Sequence, residues 1–135
     1  MVHALSEARR VLRPGGVMID LRPTARNRQV ELELAEGPAH IGEIDSSDSV
    51  AEKRMADEML QAAVDERLFH AEHCEQFEYI TDLDTLEDLR EFAAGLRRSV
   101  MPEELPRRIT ALTVDEGVNY LIRIRREMLI ARYRR

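Results

Sequence analysis

The 135-residue sequence has little of several residue types, and each shortage excludes a class of protein. Its only cysteine is Cys74, so no disulfide can form within the chain. No apolar run approaches the roughly 20 residues that a membrane-spanning helix needs. Charged side chains such as Arg9 and Arg10 interrupt the first 20 residues, which therefore lack the apolar core of a secretory signal. We expect a cytoplasmic protein.

Lysine is also scarce, because Lys53 is the only lysine among 20 basic residues. Arginine replaces it along the whole chain, so an arginine-rich segment is by itself weak grounds for a basic binding surface. The net charge of −6 favours solubility without indicating a partner. Hydrophobic residues make up 44% of the chain, which suits a single folded domain over residues 1–135.

The most informative segment runs from Ala8 to Pro23. Apolar residues recur at helical spacing up to Leu12, with arginines in the last turns, where cations interact favourably with the helix dipole. Pro14 cannot continue the helix, and Gly15-Gly16 allow the chain to reverse direction. Val17–Leu21 is then predicted to be a short strand, apolar enough to be covered on both faces. Helix, turn and strand together indicate an α/β layer.

The same segment resembles the late part of a class I S-adenosylmethionine-dependent methyltransferase, where an L-x-E-A-x-R-V-L-R-P-G-G pattern leads into the fifth strand. The residues that match in register are Glu7, Ala8, Arg10, Val11, Leu12, Pro14, Gly15 and Gly16. The resemblance implies the C-terminal part of that fold: an α/β, partial Rossmann-like sheet of mixed parallel and antiparallel strands, flanked by helices. The resemblance is specific over residues 5–20 and loose over 128–132. Elsewhere it concerns only the order of helices and strands.

The resemblance also implies methyl transfer from S-adenosylmethionine, although the cofactor-binding half of that fold has no counterpart here. Gly15-Gly16 follow a helix and precede a strand, which is the wrong order for a glycine-rich turn that holds a nucleotide. Asp20 lies inside a strand. We therefore assign no cofactor-binding residue and identify no catalytic residue. S-adenosylmethionine is expected only if a partner supplies the missing half.

Three interpretations stay open. The chain is a methyltransferase-like half-enzyme or scaffold that is inactive alone, a non-enzymatic interaction protein on the same scaffold, or a truncated reading frame that folds. The first predicts an exposed sheet edge at Val17–Leu21. A second copy in a homodimer, or a partner chain, would cover that edge.

The rest of the chain predicts a series of helices and strands. In order these are a loop over Thr24–Arg28, strands over Gln29–Ala35 and His40–Ile44, a helix over Val50–Phe69, a strand over 75–81, helices over 85–96 and 101–112, and a strand over 118–135. The strand over Gln29–Ala35 has a period of two, with Val30 and Leu32 on one side and Glu31 and Glu33 on the other. In the strand over 118–135, the alternation of side chains between the two faces slips near Arg126, which predicts a bulge or bend.

One cluster of side chains could bind a metal ion in principle, namely the segment His70–Cys74. Its two histidines, glutamate and thiol do not follow a recognised zinc spacing, and no second ligand pair exists, so we assign no metal ligand. A polar helix end or loop with a half-buried Cys74 is the preferred interpretation. As a nucleophile, Cys74 would need a base that the fold places beside it.

Paired carboxylates and the arginine-rich end complete the candidates. We interpret Glu31 and Glu33 as solvated and the aspartates at 45, 48, 82 and 84 as helix caps. The arginines at the end are Arg123, Arg125, Arg126, Arg132, Arg134 and Arg135, with Tyr120 and Tyr133 available to stack on bases. We do not favour nucleic-acid binding, because the chain is acidic overall and arginines on an edge strand also protect it against aggregation.

Overall fold

A computed structural model describes residues 2–114 and 119–135. The described elements are α1 (Val2–Val11), β1 (Val17–Pro23), β2 (Arg28–Leu34), β3 (Gly37–Ile44), α2 (Val50–Asp65), β4 (His70–Leu83), α3 (Leu86–Gly95), α4 (Glu104–Leu112) and β5 (Leu121–Arg134), with a short 3₁₀ turn at Ser47–Ser49. The order of helices and strands predicted from the sequence is confirmed. Val118, where the last strand was predicted to begin, lies outside the described residues.

The chain divides into two compact units. The first consists of Met1–Ala25, Val50–Phe77 and Glu127–Arg135, and the second of Arg26–Ser49 and Glu78–Arg126. The 14-residue strands β4 and β5 pass from one unit into the other, so each unit contains part of both.

The strands form a mostly antiparallel five-stranded sheet, so the predicted Rossmann-like sheet of mixed direction is wrong. In the first unit β1 pairs with β5, with Leu21 opposite Ile130. In the second unit β2 pairs with both β5 and β3. Parallel neighbours need a crossover of about a dozen residues or more, whereas a two-residue turn joins β2 to β3. The α1–β1 segment fits either sheet, because a helix–turn–strand unit does not fix the direction of the neighbouring strand.

The core of the second unit lies where the sheet meets α3 and α4. Its buried members are Val30, Leu32, Ile41, Ile44, Leu89, Leu105, Ile109, Ile122 and Ile124. The period-two pattern of β2 is thus confirmed. Helix α3 begins with a capping box, in which Thr85 Oγ1 accepts from the Asp88 backbone N–H at 3.1 Å and Asp88 accepts from the Thr85 backbone N–H at 2.9 Å. Thr85 rather than Asp82 or Asp84 therefore caps α3, which corrects the prediction that the aspartates would do so.

In the first unit the Gly15-Gly16 turn joins α1 to β1 and also holds the end of the chain. The Gly15 N–H donates to the Arg135 carbonyl at 3.1 Å, and the Arg135 N–H donates to the Gly16 carbonyl at 2.9 Å. Gly15 has a φ of +76°, which favours glycine. Strand β1 is covered on one face only, because Ile19 and Leu21 are 55% and 57% exposed. This corrects the expectation of a strand buried on both faces, and it agrees with an antiparallel sheet.

Helix α2 ends four residues earlier than predicted. Arg67 adopts a left-handed conformation with φ of +58°, and the Leu68 N–H donates back to the Ala63 carbonyl at 2.9 Å. A left-handed residue of this kind commonly terminates a helix. Phe69, predicted as the last helical residue, instead precedes β4 and is fully buried.

Gly42 of β3 packs closely against α4. A Cβ atom there would lie 2.6 Å from Cδ2 of the buried Leu105. We expect Gly42→Ala to lower the free energy of unfolding by about 1–3 kcal/mol, because overpacking forces the helix and strand apart. Urea denaturation followed by circular dichroism measures the change.

Gly95→Ala is the matched control. A Cβ at Gly95, the last residue of α3, would have nothing within 4 Å. Alanine is favoured over glycine in a helix by about 0.5–1 kcal/mol, so this variant should be as stable as the wild type or more so. Equal stability of Gly42→Ala and the wild type would contradict the close approach of β3 and α4.

Candidate functional site

An open cavity of about 630 Å³ lies in the first unit, where α2 faces β1, β4 and β5. The lining residues are Arg22, Asp57, Glu58, Leu60, Gln61, Ala62, Val64, Asp65, Ala71, Cys74, Leu129 and Tyr133. Its volume falls within the range of 300–1,000 Å³ that is usual for small-molecule sites. We take this cavity as the candidate site.

The floor of the cavity is apolar. Leu60 and Val64 lie four residues apart on α2 and therefore share one face of the helix. Ala71 of β4 and Leu129 of β5 complete the apolar surface. The apolar stripe from which α2 was predicted therefore borders the cavity as well as the core.

Arg22 at the end of β1 carries the positive charge of the site, and two carboxylates hold it. Its Nε lies 2.7 Å from Asp20 Oδ2 and its Nη2 lies 2.5 Å from Asp57 Oδ1. Burial alone would lower the pKa of Arg22, but the hydrogen bonds and charges of Asp20 and Asp57 raise it above its usual value. The guanidinium is therefore neutralised by the protein before any ligand arrives.

The charge balance of the lining is negative. Among the described lining residues, one guanidinium, that of Arg22, stands against the carboxylates of Asp57, Glu58 and Asp65. All three carboxylates lie on α2, on the polar residues that flank its apolar stripe. The surroundings of the cavity therefore repel anions and attract cations.

Tyr133 of β5 is the other polar group with a shifted pKa. Burial, followed by the nearby charge of Asp20, raises the pKa of its phenol above the usual value. At neutral pH the hydroxyl is protonated, so it can donate a hydrogen bond to a ligand but cannot act as a base.

Cys74 lines the same cavity and is exposed, which corrects the expectation of a half-buried thiol. Among the described residues that line the cavity there is no histidine to activate it. The geometry therefore offers no Cys–His pair at this site. Cys74 is better placed to report on the cavity than to react within it.

The segment His70–Cys74 forms the start of β4 rather than a helix end or loop. Cys74 lines the cavity together with Ala71, whereas Glu72 contacts arginines of β5, so the side chains of this segment do not share one face of the strand. Glu72 is engaged by Arg132 at 2.8 Å and by Arg134. In the described part of the chain no three histidine, cysteine, aspartate or glutamate side chains are grouped to hold a metal ion.

The paired glutamates of β2 are part of a charge ladder in the second unit. Arg125 contacts Glu31 at 2.7 Å and Glu78 at 2.9 Å. Arg123 repeats the pattern one step along, with Glu33 at 3.2 Å and Asp82 at 2.8 Å. Glu31 and Glu33 are thus ion-paired, which corrects the expectation that they are only solvated. The order of these pairs also shows that β4 runs antiparallel to β5 here.

Two further predictions concern the helix caps and the sheet edge. Asp45 Oδ1 accepts from the Ser47 N–H at 2.8 Å at the start of the 3₁₀ turn, whereas Asp82 pairs with Arg123 and caps no helix. Val17–Leu21, predicted as an exposed edge, pairs with β5 through one edge of β1 and exposes Ile19 and Leu21. The homodimer or partner chain stays a prediction.

Comparison with known proteins finds no match for this chain among protein-family models, curated proteins or solved structures. The methyltransferase resemblance over residues 5–20 thus stays a prediction. The Gly15-Gly16 turn holds the end of β5, and β1 ends at Pro23 and is followed by residues 24–27, which contain no glycine. These residues do not fit a nucleotide-binding turn. No described helix has the length and apolar character needed to cross a membrane.

Sequence reasoning missed Arg22, Asp57 and Tyr133 as site residues. The spacing of Asp20 and Arg22 was an available signal, because residues two apart on a strand share a face and can form an ion pair. Asp57 gave no signal, since its contact with Arg22 depends on how α2 packs against β1 in this unit.

Tyr133 should ionise above pH 10, the usual value for tyrosine, because burial and Asp20 disfavour the phenolate. Since the folded-state pKa exceeds that of the unfolded chain, the phenol contributes stability below about pH 10 that is lost as the pH rises further. The difference in ultraviolet absorbance between the wild type and Tyr133→Phe, recorded against pH, isolates this residue from Tyr79 and Tyr120. A midpoint at or below that of free tyrosine would contradict the burial of Tyr133.

Proposed function

We propose that the chain is a ligand-binding protein whose first unit takes up a small molecule with an apolar body and a cationic group. The observation that supports this proposal is the cavity itself, which combines an apolar floor with a negatively charged surround. The apolar body would pack against Leu60, Val64 and Leu129. The cationic group would lie near the carboxylates of α2.

The choice of a cation follows from the state of Arg22. Its guanidinium is already bound by Asp20 and Asp57, so it offers little attraction to an anionic ligand. An anion near Glu58 and Asp65 would meet like-charge repulsion, which water reduces because both side chains are exposed. A neutral ligand would gain the apolar contacts alone.

Binding is favoured over nucleophilic catalysis because, among the described lining residues, no histidine lies beside Cys74 to activate its thiol, and Tyr133 is protonated. The carboxylates of α2 are exposed, and we assign them to the cationic group of the ligand. This proposal develops the non-enzymatic interpretation of the sequence. Saturable binding of S-adenosylhomocysteine by the isolated chain would instead favour the methyltransferase interpretation.

Three probes with the same ring and different charge test the proposal: naphthalene-methylamine, naphthalene-methanol and naphthoate. We expect the amine to bind at least about tenfold more tightly than naphthoate, with the alcohol between them. Methyl resonances of Leu60 and Leu129 should shift on titration, and the bound amine should slow alkylation of Cys74. Tighter binding of naphthoate at these methyl groups, or no shift with any probe, would overturn the proposal.

A pair of β4 variants locates the site. Ala71 lines the cavity and is exposed, so Ala71→Trp should fill the cavity and abolish binding of the amine without unfolding the chain. Gln76 is also exposed on β4 and does not line the cavity, so Gln76→Trp should bind as the wild type does. Equal loss in both variants would show that the probe binds elsewhere.

A further inference from the structure

Two arginines of the second unit meet at one serine hydroxyl. Arg28 Nη1 donates to Ser46 Oγ at 3.2 Å, and Arg126 Nη1 donates to the same oxygen at 3.4 Å. Arg28 Nη1 also lies 3.3 Å from Ser99 Oγ. The two cationic groups thus approach each other across a single hydroxyl group. We call Arg28, Ser46, Ser99 and Arg126 the arginine–serine cluster.

The cluster is largely removed from solvent. Ser46 is 1% exposed and Arg126 is 7% exposed, while Arg28 is half-buried. The Nε of Arg126 is buried and has no hydrogen-bond partner within the described chain. A buried N–H that lacks an acceptor costs about 1–3 kcal/mol, and more when the group is charged. The arginine is therefore held in a position where the described residues leave one of its donors without an acceptor.

The hydroxyl groups leave a second donor without an acceptor. Ser46 Oγ accepts from both arginines, which uses its two lone pairs, so its own proton is directed to Ser99 Oγ at 3.2 Å. Ser99 Oγ then accepts from Ser46 and from Arg28. Ser99 is half-buried, so its proton is free to donate to water or to a bound ligand. The cluster has more donors than its own oxygens can satisfy.

Among the described residues, no carboxylate contacts the guanidinium groups of the cluster. Arg123 and Arg125, on the same strand as Arg126, each contact two carboxylates. By contrast, burial lowers the pKa of Arg28 with no carboxylate to offset it. Burial and the charge of Arg28 lower the pKa of Arg126 to about 10. Buried charges in proteins are normally paired or neutralised, which makes this pair unusual.

The backbone fixes the cluster in place. Asp45 and Val100, the neighbours of Ser46 and Ser99, form a backbone bridge with N–H to carbonyl distances of 2.8 and 2.9 Å. The Ser46 N–H donates to Asn27 Oδ1 at 2.9 Å. The alternation of β5 that buries Ile122 and Ile124 also turns Arg126 inward. The donors are therefore preorganised and converge before any ligand is present.

We propose that Arg28, Arg126 and Ser99 form a binding site for a small oxyanion, a phosphate or carboxylate group. An oxyanion supplies the two things the cluster lacks, since its oxygens accept several hydrogen bonds and its charge neutralises the guanidinium pair. This site lies in the other unit from the cavity and selects ligands of the opposite charge. Its test therefore succeeds or fails independently of the cavity.

Inorganic phosphate and acetate are the probes, titrated separately at constant ionic strength with chloride as the balancing anion. We expect at least one of them to raise the unfolding temperature of the full chain in a saturable manner. The amide resonances of Ser46 and Ser99 should shift with the same midpoint. A larger response to phosphate, or to acetate, identifies which oxyanion group the site prefers. No saturable response to either probe would overturn the proposal.

Arg28→Gln is the decisive variant, because Arg28 is less buried than Arg126 and its replacement leaves a polar group in place. It should weaken binding of the preferred probe at least tenfold. In chloride alone it should be no less stable than the wild type, because it relieves the repulsion at Arg126. Ser99→Ala provides a second test, with a smaller loss of affinity and an unchanged fold.

Arg125→Gln is the matched control, since it removes a neighbouring arginine whose partners are Glu31 and Glu78. This variant should retain the response of the wild type to the probe. Equal loss of response in Arg125→Gln and Arg28→Gln would indicate nonspecific screening and overturn the proposal. So would an Arg28→Gln variant that is destabilised in chloride yet binds the probe as tightly as the wild type.

Discussion

Strand β5 is the element on which the rest of the structure depends. In the second unit it sends Ile122 and Ile124 into the core and presents Arg123 and Arg125 to carboxylates on the neighbouring strands. In the first unit its last residues pair with β1. Because side chains alternate strictly along a strand, this one sequence fixes both the hydrophobic core and the charge ladder. A shift by a single residue would exchange isoleucine for arginine in the core.

Both candidate sites draw on the same strand but with opposite charge. Tyr133 and Leu129 contribute to a cavity whose surround is negative, while Arg126 contributes to a cluster that is positive and lacks a described carboxylate. Each unit thus has a site suited to a different class of small molecule. In a protein of net charge −6, a buried and a half-buried guanidinium group lie together in the second unit, and this is the basis of the proposed oxyanion site.

The sequence predicted the helices and strands because their signals are local. The alternation of Val30 and Leu32 with glutamates indicated β2, and the alternation of arginine with isoleucine indicated β5. The sheet itself was mispredicted, because strand direction depends on which strands meet, and the α1–β1 segment is compatible with either arrangement. The contacts of the arginine–serine cluster join residues 71 and 80 positions apart, so no local pattern could reveal them. The buried positions of β5 change from Ile122, Ile124 and Arg126 to Ala131, which agrees with the predicted slip near Arg126. The register shift in the β2–β3 pair, between Val30 and Glu31, was not predicted.

The antiparallel pairing of β5 is the central claim, and nuclear Overhauser effects between backbone protons test it most directly. The structure predicts cross-strand contacts between Leu21 and Ile130 and between Leu32 and Ile122. It also predicts that, from one contact to the next, the residue number decreases along β1 or β2 as it increases along β5. Contacts in which the residue numbers of both strands increase together, as in a parallel sheet, would contradict the account. The absence of contacts between β5 and either strand would also contradict it.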